Sequence, residues 1–211
     1  MSDRTVVHLL RHGEVDNPRG IIYGRLPDYH LSAAGRAMAE AAADYFAERP
    51  VVALFASPLE RAQETAAPVA ERLGLPVVPD ERLIESWNHF EGMTFGVGDG
   101  SLRQPRHWRA LINPFRPSWG EPYDQVVSRM AAAMERARLA AEGQEALCVS
   151  HQLPIWITRR NAEGRRLWHD PRRRECALGS VTSFTYEGDR LESVTYTVPP
   201  RRHVPEGHAA Q

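Results

Sequence analysis

Apolar residues follow two patterns that alternate along the chain. Short continuous apolar runs, typical of strands buried on both faces of a sheet, occur at residues 5–10, 51–56, 76–78 and 145–150. Between these runs, apolar side chains recur at the spacing of amphipathic helices. The predicted helices cover residues 32–49 and 57–73, and two more begin at Pro122 and Pro154. Strands that alternate with helices in this order predict an α/β fold with a mostly parallel sheet.

The last part of the pattern predicts a hairpin. Two β-rich runs, 181–186 and 191–198, are separated by the turn residues Glu187-Gly188-Asp189. A hairpin can join a parallel sheet as an antiparallel edge. The expected architecture is therefore a three-layer sandwich, with a mostly parallel sheet flanked by helices and an antiparallel edge hairpin. We expect one domain over residues 1–200, with a small cap-like insertion at 86–120 and a loose C-terminal tail at 201–211.

Composition supports this picture and removes several classes of function. The chain has 211 residues, of which 42% are hydrophobic and 25% charged, as in ordinary globular proteins. Its formal charge of −1 gives no indication of nucleic-acid or membrane-surface binding. All 26 basic residues are arginine, so neither a lysine Schiff base nor a phosphate-loop lysine is available.

The spacing of the cysteines and the length of the apolar runs indicate where in the cell the protein is expected. Cys148 and Cys176 lie far apart, without CxxC spacing and without a signal peptide ahead of them. This predicts two reduced, buried thiols in a cytoplasmic protein. No apolar run approaches the roughly 18 residues that span a bilayer, so no membrane association is expected.

Histidine and arginine residues follow the predicted strands at the ends where α/β proteins bind ligands. Arg11 and His12 close the first strand, and His151 closes the strand at 145–150. Because the carboxyl ends of parallel strands meet at one edge of the sheet, we expect these side chains to lie together. The chain has no HxxxH pair, and adjacent arginines would repel a divalent cation, so a metal site is disfavoured.

The residues after the second strand predict a helix start at the same edge. Ser57-Pro58-Leu59-Glu60 has the form of a capping box, with Ser57 as N-cap and Glu60 at the third helical position. Arg61 then lies in the first turn, where a cation opposes the helix dipole at a cost of about 0.3–1 kcal/mol. A bound anion would reverse that effect. The alternative is a surface arginine whose stem covers apolar neighbours.

Short motifs that include these residues occur in order along nearly the whole chain. They are Leu10-Arg11-His12-Gly13-Glu14, Tyr23-Gly24-Arg25, Leu31-Ser32-Ala33-Ala34-Gly35, Ala56-Ser57-Pro58-Leu59-Glu60-Arg61-Ala62-Gln63-Glu64-Thr65-Ala66, Leu83-Ile84-Glu85, Gly120-Glu121 and Val149-Ser150-His151. In sequence and in order, these motifs resemble those of the histidine phosphatase superfamily, also called phosphoglycerate mutase-like. The resemblance implies phosphoryl-transfer chemistry.

The resemblance also implies roles for the residues at the sheet edge. His12 would be the nucleophile that takes the phosphoryl group as phosphohistidine. Arg11, Arg61 and His151 would form the phosphate pocket and stabilise the charge on its oxygens. Because arginine and histidine would supply this electrostatic stabilisation, no metal cofactor is expected.

A carboxyl group is needed to protonate the departing alcohol and later to activate water. By resemblance Glu85 holds the position of this general acid, and its pKa would have to be raised by burial. Glu91 is the alternative, since either residue could lie near the leaving group.

The resemblance also implies that five further residues bind the substrate. Gly13 would leave room for the substrate to approach, and Asn17 would help hold the phosphate. Gln152 stands where glycine is frequent in the family, so its longer side chain would narrow the pocket or contact the substrate. Gly24 and Arg25 belong to the second motif and complete the set.

The cap-like insertion would select the substrate. It holds aromatic and basic residues suited to an organic phosphate with further anionic or ring groups: Trp87, Trp108, Trp119, Arg103, Arg106, Arg109 and Arg116. The alternative is a loop packed on the rim with solvated arginines. A second arginine-rich run, at 159–175, has the composition of a solvated surface.

The leading hypothesis is a metal-independent phosphomonoesterase that acts on a small organic phosphate through phosphohistidine on His12. The first alternative is a phosphoglycerate-type mutase, which returns the phosphoryl group to its substrate. The second is a non-catalytic phosphate-binding module, although such a module has no use for a general acid. In each case the expected partner is a small-molecule phosphate ester, without nucleic acid, membrane or cofactor.

Overall fold

A computed structural model describes residues 4–94 and 119–200. In these ranges the strands are β1 (Arg4–Arg11), β2 (Val51–Ala56), β3 (Val77–Pro79), β4 (Glu145–Ser150), β5 (Val181–Glu187) and β6 (Arg190–Thr197). The helices are α1 (Ala33–Phe46), α2 (Glu60–Leu73), α3 (Tyr123–Ala140) and α4 (Gln152–Ala162). The strands at 51–56 and 145–150 have the predicted bounds.

The strands form one six-stranded sheet in the order β3-β2-β4-β1-β5-β6. The pairs β3-β2, β2-β4 and β4-β1 are parallel, whereas β5 runs antiparallel to both β1 and β6. The mostly parallel sheet and the antiparallel hairpin at its edge are therefore confirmed. Because β1 and β4 are parallel neighbours, Arg11 and His151 leave the sheet at the same edge.

Each face of the sheet is covered by a pair of helices. Neighbouring strand residues point to opposite faces, so β1 places Leu9 under α3 and α4 and Leu10 under α1 and α2. The cluster on the first face includes Val7, Cys148, Met130, Val126 and Ile155. The cluster on the second face includes Phe46, Leu54, Ala62, Val69 and Val149. These two cores confirm the three-layer sandwich.

The start of α2 differs from the prediction. The helix begins at Glu60, with Leu59 as its N-cap and without a side-chain cap, so the predicted capping box at Ser57 is wrong. The Ser57 hydroxyl instead contacts a ring nitrogen of His151 at 2.7 Å, with only a long 3.4 Å contact from the Leu59 N–H. As a result, Arg61 lies even closer to the positive end of the α2 dipole than predicted.

Two glycines allow the loop after β1 to lie against the start of α1. A Cβ on Gly35 would come within 1.9 Å of the carbonyl oxygen of Glu14, and a Cβ on Gly13 would come within 2.5 Å of the carbonyl oxygen of Gly35. The same Glu14 oxygen accepts a hydrogen bond from the backbone N–H of Ser32 at 2.9 Å, which limits its freedom to move. Gly13 is therefore required by this close backbone approach, and its predicted role in leaving room for the substrate stays a prediction.

Much of the predicted cap-like insertion lies outside the described residues. This applies to Trp108 and to the four cap arginines, and the predicted C-terminal tail at 201–211 also lies outside them. Trp87 and Trp119 border the gap and are described. Both cysteines are free and buried, as predicted. Across 4–94 and 119–200, no helix has the length and apolar character needed to cross a bilayer.

We predict that Gly35→Ala destabilises the protein although it lies in a helix. Replacing glycine by alanine in an exposed helix interior normally stabilises by about 1 kcal/mol. Here the new methyl group would meet the Glu14 carbonyl, so we expect a net loss of about 1–3 kcal/mol, measured by urea unfolding. Ala37→Gly, at an exposed position of the same helix, is the control and should lose about 1 kcal/mol. A gain in stability for Gly35→Ala would show that the contact yields easily.

Candidate active site

A cavity of about 220 Å³ opens beyond the carboxyl ends of β1 and β4. Charged and polar side chains on its wall are Arg11, His12, Tyr23, Glu85, Glu121, Gln152 and Arg174, and two tryptophans, Trp87 and Trp119, also line it. Arg61 and His151 are fully buried and lie immediately behind this wall. The predicted residues at the sheet edge therefore meet in one place.

His12 is held as a neutral imidazole. Its Nδ1 lies 2.8 Å from the carbonyl oxygen of Gly13, which can only accept, so Nδ1 carries the proton and Nε2 keeps its lone pair. Burial lowers the pKa of His12 to about 3, and the nearby charges of Arg61 and Arg11 act in the same direction. At neutral pH the site therefore offers an unprotonated ring nitrogen beside two guanidinium groups.

Arg61 is positioned by the second motif. Its Nη2 donates to the carbonyl oxygen of Gly24 at 2.5 Å, and its guanidinium carbon lies 4.8 Å from the centre of the Tyr23 ring. Gly24 has φ +42, and a Cβ there would strike the Glu91 side chain at 2.2 Å. The carbonyl of Gly24 therefore holds Arg61, and Gly24 itself lines the cavity.

His151 and Arg11 complete the group around His12. The ring centres of His12 and His151 are 5.1 Å apart, and Nε2 of His151 lies 2.7 Å from the Ser57 hydroxyl. Burial, followed by the charges of neighbouring groups, lowers the pKa of His151 well below its ordinary value. Arg11 donates from Nη1 to the carbonyl oxygen of Cys176 at 2.6 Å.

Several nitrogens of this group are buried without a hydrogen-bond partner. They are Nε of Arg11, Nε and Nη1 of Arg61, and Nδ1 of His151. A buried donor without a partner costs about 1–3 kcal/mol, and more if it is charged. Free guanidinium donors of two arginines, together with an unpartnered nitrogen of His151, near one neutral imidazole are typical of a site built for an oxyanion such as phosphate.

Glu85 lies on the cavity wall, whereas Glu91 does not. Oε1 of Glu85 accepts a hydrogen bond from the Ser86 N–H at 2.8 Å, and burial raises the pKa of Glu85 despite the charges of Arg61, Arg174 and Arg11. The Glu91 carboxylate packs behind Gly24 and accepts from the Asn88 N–H at 3.2 Å. The geometry therefore favours Glu85 over Glu91 as a proton donor to a bound ligand.

The other predicted binding residues differ in their placement. Gln152 lines the cavity, where its Oε1 accepts from Nη1 of Arg174 at 3.3 Å. Asn17 is not among the lining residues, because its side-chain amide closes a loop on the backbone of Ile21 at 2.9 and 3.2 Å. Its predicted contact with phosphate is therefore not supported.

Arg25, which was also predicted to bind substrate, is not among the residues that line the cavity. Its Nε donates to the carbonyl oxygen of Glu85 at 2.6 Å, and its Nη2 bonds Glu121 at 3.0 Å. Arg129 bonds both oxygens of the same Glu121 carboxylate at 2.7 and 3.0 Å. Arg25 therefore positions the Glu85 segment and does not line the cavity.

Sequence reasoning missed Arg174. It lies in the arginine-rich run that resembled a solvated surface, yet its side chain lines the cavity. Nothing in the local sequence distinguishes it from Arg172, whose side chain is 88% exposed. Among the described residues, no group of three or more His, Cys, Asp or Glu side chains could hold a metal ion.

Comparisons with known proteins agree with this geometry. The family model of the histidine phosphatase superfamily (branch 1) matches residues 7–199. The uncharacterized protein Rv0525 of Mycobacterium tuberculosis is 59% identical over 199 residues, which cover 94% of this chain and 98% of that protein. A metal-independent phosphoserine phosphatase of Arabidopsis thaliana is 30% identical over 183 residues, which cover 79% of this chain and 74% of that protein. The structure of YhfR from Bacillus stearothermophilus superposes with a TM-score of 0.72 at 26% identity. The superposition covers 89% of this chain and 94% of that one.

We predict that His12 makes the protein sensitive to acid. Its pKa is about 3 in the folded state, against an ordinary histidine value of 6.5, so the unfolded chain binds the proton more readily between these values. The stability that depends on neutral His12 is therefore full above pH 6.5 and falls as the pH drops toward 3. In wild type, the free energy of unfolding should therefore change with pH in this window by up to about 1.4 kcal/mol per pH unit because of His12. His12→Gln should remove this dependence, as measured by urea unfolding in phosphate-free buffer.

His30→Gln is the matched control for this experiment. His30 is exposed, and its hydrogen bond to Glu64 raises its pKa. Its contribution is therefore present at low pH and is lost as the pH rises, opposite in sign to that of His12. An unchanged slope in His12→Gln would contradict the buried, neutral state of His12.

Proposed function

The chain belongs to the histidine phosphatase superfamily, and on this premise we propose that it is a metal-independent phosphomonoesterase that acts on a small organic phosphate through phosphohistidine on His12. One observation carries the proposal. His12, with Nε2 unprotonated, and Glu85 line the same cavity, and buried, unpartnered nitrogens of Arg11, Arg61 and His151 lie near His12. A nucleophile, an oxyanion site and a proton donor are thus combined.

In the first step, Nε2 of His12 attacks the phosphorus atom in line with the ester oxygen. The P–N bond forms as the P–O bond breaks, and the departing oxygen takes the proton of Glu85. Arg11, Arg61 and His151 stabilise the negative charge on the non-bridging oxygens. The products are an alcohol, phosphohistidine and ionised Glu85.

In the second step, the ionised Glu85 removes a proton from water as the water oxygen attacks phosphorus. The P–N bond breaks, inorganic phosphate leaves, and Glu85 regains its proton. A carboxyl group that alternates between acid and base in this way needs a pKa close to the working pH. The raised pKa of Glu85 supports this role.

The mutase and the binding module remain the alternatives. A mutase would return the phosphoryl group to a second hydroxyl and would depend on a bisphosphate primer. A binding module would hold phosphate esters without releasing phosphate, and the presence of Glu85 on the cavity wall weighs against it. The similarity to a relative named metal-independent phosphoserine phosphatase favours hydrolysis. We also propose a cytoplasmic location, supported by the two free, buried cysteines.

We predict phosphate release from a panel of sugar, nucleotide, amino-acid and glycerate phosphates in the presence of a chelator. His12→Ala should lose at least about 10³-fold in kcat, because the covalent route is closed. Rapid acid-free quenching with ³²P-labelled substrate should label the wild type and not the variant. His30→Ala, at an exposed histidine, is the control. Binding of phosphate esters without any release by the wild type would favour the binding module.

We predict that Glu85→Gln distinguishes esters by their leaving groups. An alkyl phosphate needs a proton on its departing oxygen, so its kcat/KM, which reports the steps up to P–O cleavage and not the shared hydrolysis of phosphohistidine, should fall about 10²–10⁴-fold. The loss should be much smaller for p-nitrophenyl phosphate, because p-nitrophenolate leaves without protonation. The same comparison in Glu91→Gln separates the two candidate acids. Equal losses for both esters in Glu85→Gln would refute its role as general acid.

A further inference from the structure

Arg174 enters the cavity from a segment whose other arginines face solvent. It follows the short 3-10 turn Pro171–Arg173, and Arg172 and Arg173 in that turn are exposed. Arg174 is only partly exposed and lines the cavity beside Gln152 and Tyr123. Of the three consecutive arginines 172–174, Arg174 is therefore the one withdrawn from water toward the site.

Two neutral acceptors hold the Arg174 side chain in place. Its Nε donates to Nε2 of His169 at 2.9 Å, and its Nη1 donates to Oε1 of Gln152 at 3.3 Å. Nδ1 of His169 lies 2.7 Å from the carbonyl oxygen of Leu167, so that nitrogen carries the proton and Nε2 accepts. Burial lowers the pKa of His169 to about 4, which keeps this acceptor available at neutral pH.

Within the described ranges, Arg174 forms no ion pair. The hydrogen-bond partners of its guanidinium there are the two neutral groups of His169 and Gln152. Of the two carboxylates on the cavity wall, Glu121 is already bonded to Arg25 and Arg129. Glu85 accepts a hydrogen bond from the Ser86 N–H and forms no ion pair with Arg174 among the described residues. Arginine that is desolvated in this way lacks a counter-charge, and a ligand anion can supply it.

Arg174 lines the same cavity as Glu85 and Gln152, whereas Arg61 is fully buried. The charge of Arg174 acts on Glu85, as do the charges of Arg61 and Arg11. Glu85 would donate its proton to the departing alcohol, so a cation on the wall that Glu85 lines can reach the organic part of the substrate.

We propose that Arg174, held by His169 and Gln152, binds a second anionic group of the substrate, so that the enzyme selects phosphomonoesters whose organic part carries a carboxylate or a further phosphate. The proposal rests on the proposed function and names the class of substrate for the same site. Arg174 is the specificity-determining residue, and His169 is a positioning residue that acts through it.

The test compares esters that differ only in the second group. 3-Phosphoglycerate and glycerol 3-phosphate differ by a carboxylate in place of a hydroxymethyl group, and fructose 1,6-bisphosphate and fructose 6-phosphate differ by a phosphate. The readout is the ratio of kcat/KM within each pair, for wild type, Arg174→Gln and Arg174→Lys. Arg172→Gln, at the exposed arginine two residues away, is the matched control.

We expect the wild type to favour the anionic member of at least one pair by about 10- to 100-fold. The pair that shows the preference identifies the group as carboxylate or phosphate. Arg174→Gln should bring that ratio close to 1, Arg174→Lys should keep part of it because the charge remains, and Arg172→Gln should leave it unchanged. His169→Phe should lower the ratio, and His169→Gln, which can still accept, should restore most of it.

Two results would overturn the proposal. Equal losses for both members of every pair in Arg174→Gln would place Arg174 in the phosphoryl pocket. Unchanged kcat/KM values for both members of every pair would show that Arg174 does not contact the substrate, and thermal melting of each variant checks that it is folded. If the wild type releases phosphate from none of these esters or from p-nitrophenyl phosphate, the proposed function fails. The shift in melting temperature with 3-phosphoglycerate against glycerol 3-phosphate, in wild type and Arg174→Gln, then still tests the anion subsite.

Discussion

The hydrogen bond from Nδ1 of His12 to the carbonyl oxygen of Gly13 is the interaction on which the site depends. It fixes the imidazole tautomer and leaves Nε2 unprotonated. The Gly13 carbonyl can be in this position only because the loop after β1 passes within backbone contact of Gly35 at the start of α1. Two residues without side chains, from two different motifs, thus determine which nitrogen of a buried histidine can react.

The arginines near the cavity fall into two groups with different purposes. Arg25 and Arg129 share the carboxylate of Glu121 and donate to backbone carbonyls, so one of their two charges is balanced within the protein. Arg11, Arg61 and Arg174 bond only to neutral acceptors among the described residues, and these three retain positive charge toward the ligand. A cavity with this distribution favours an anion of more than one charge, which is the physical basis of both proposals.

The sequence allowed the sheet, its edge hairpin and the meeting of Arg11, His12, Arg61 and His151 to be predicted, because these follow from local periodicity and from the ends of parallel strands. Local patterns were misleading at Ser57, where a helix-capping motif is overridden by a contact with His151, 94 positions away. They also gave no sign that Arg174 differs from its exposed neighbours, since its burial depends on His169, Gln152 and the cavity together. Residues whose state depends on distant partners are the ones that periodicity cannot identify.

Glu85 shows how a reacting group can be held in place without regular secondary structure. It lies in the irregular segment after Leu83, where Arg129 donates to the carbonyl oxygens of Arg82 and Ile84 and Arg25 donates to that of Glu85 itself. Two cations so close to the acid would lower its pKa and keep it ionised. Glu121 bonds both of them and balances one of their two charges, and burial of Glu85 raises its pKa. The segment thus gains the hydrogen bonds of two arginines while the pKa of Glu85 stays raised, which is the combination that a proton donor at this position requires.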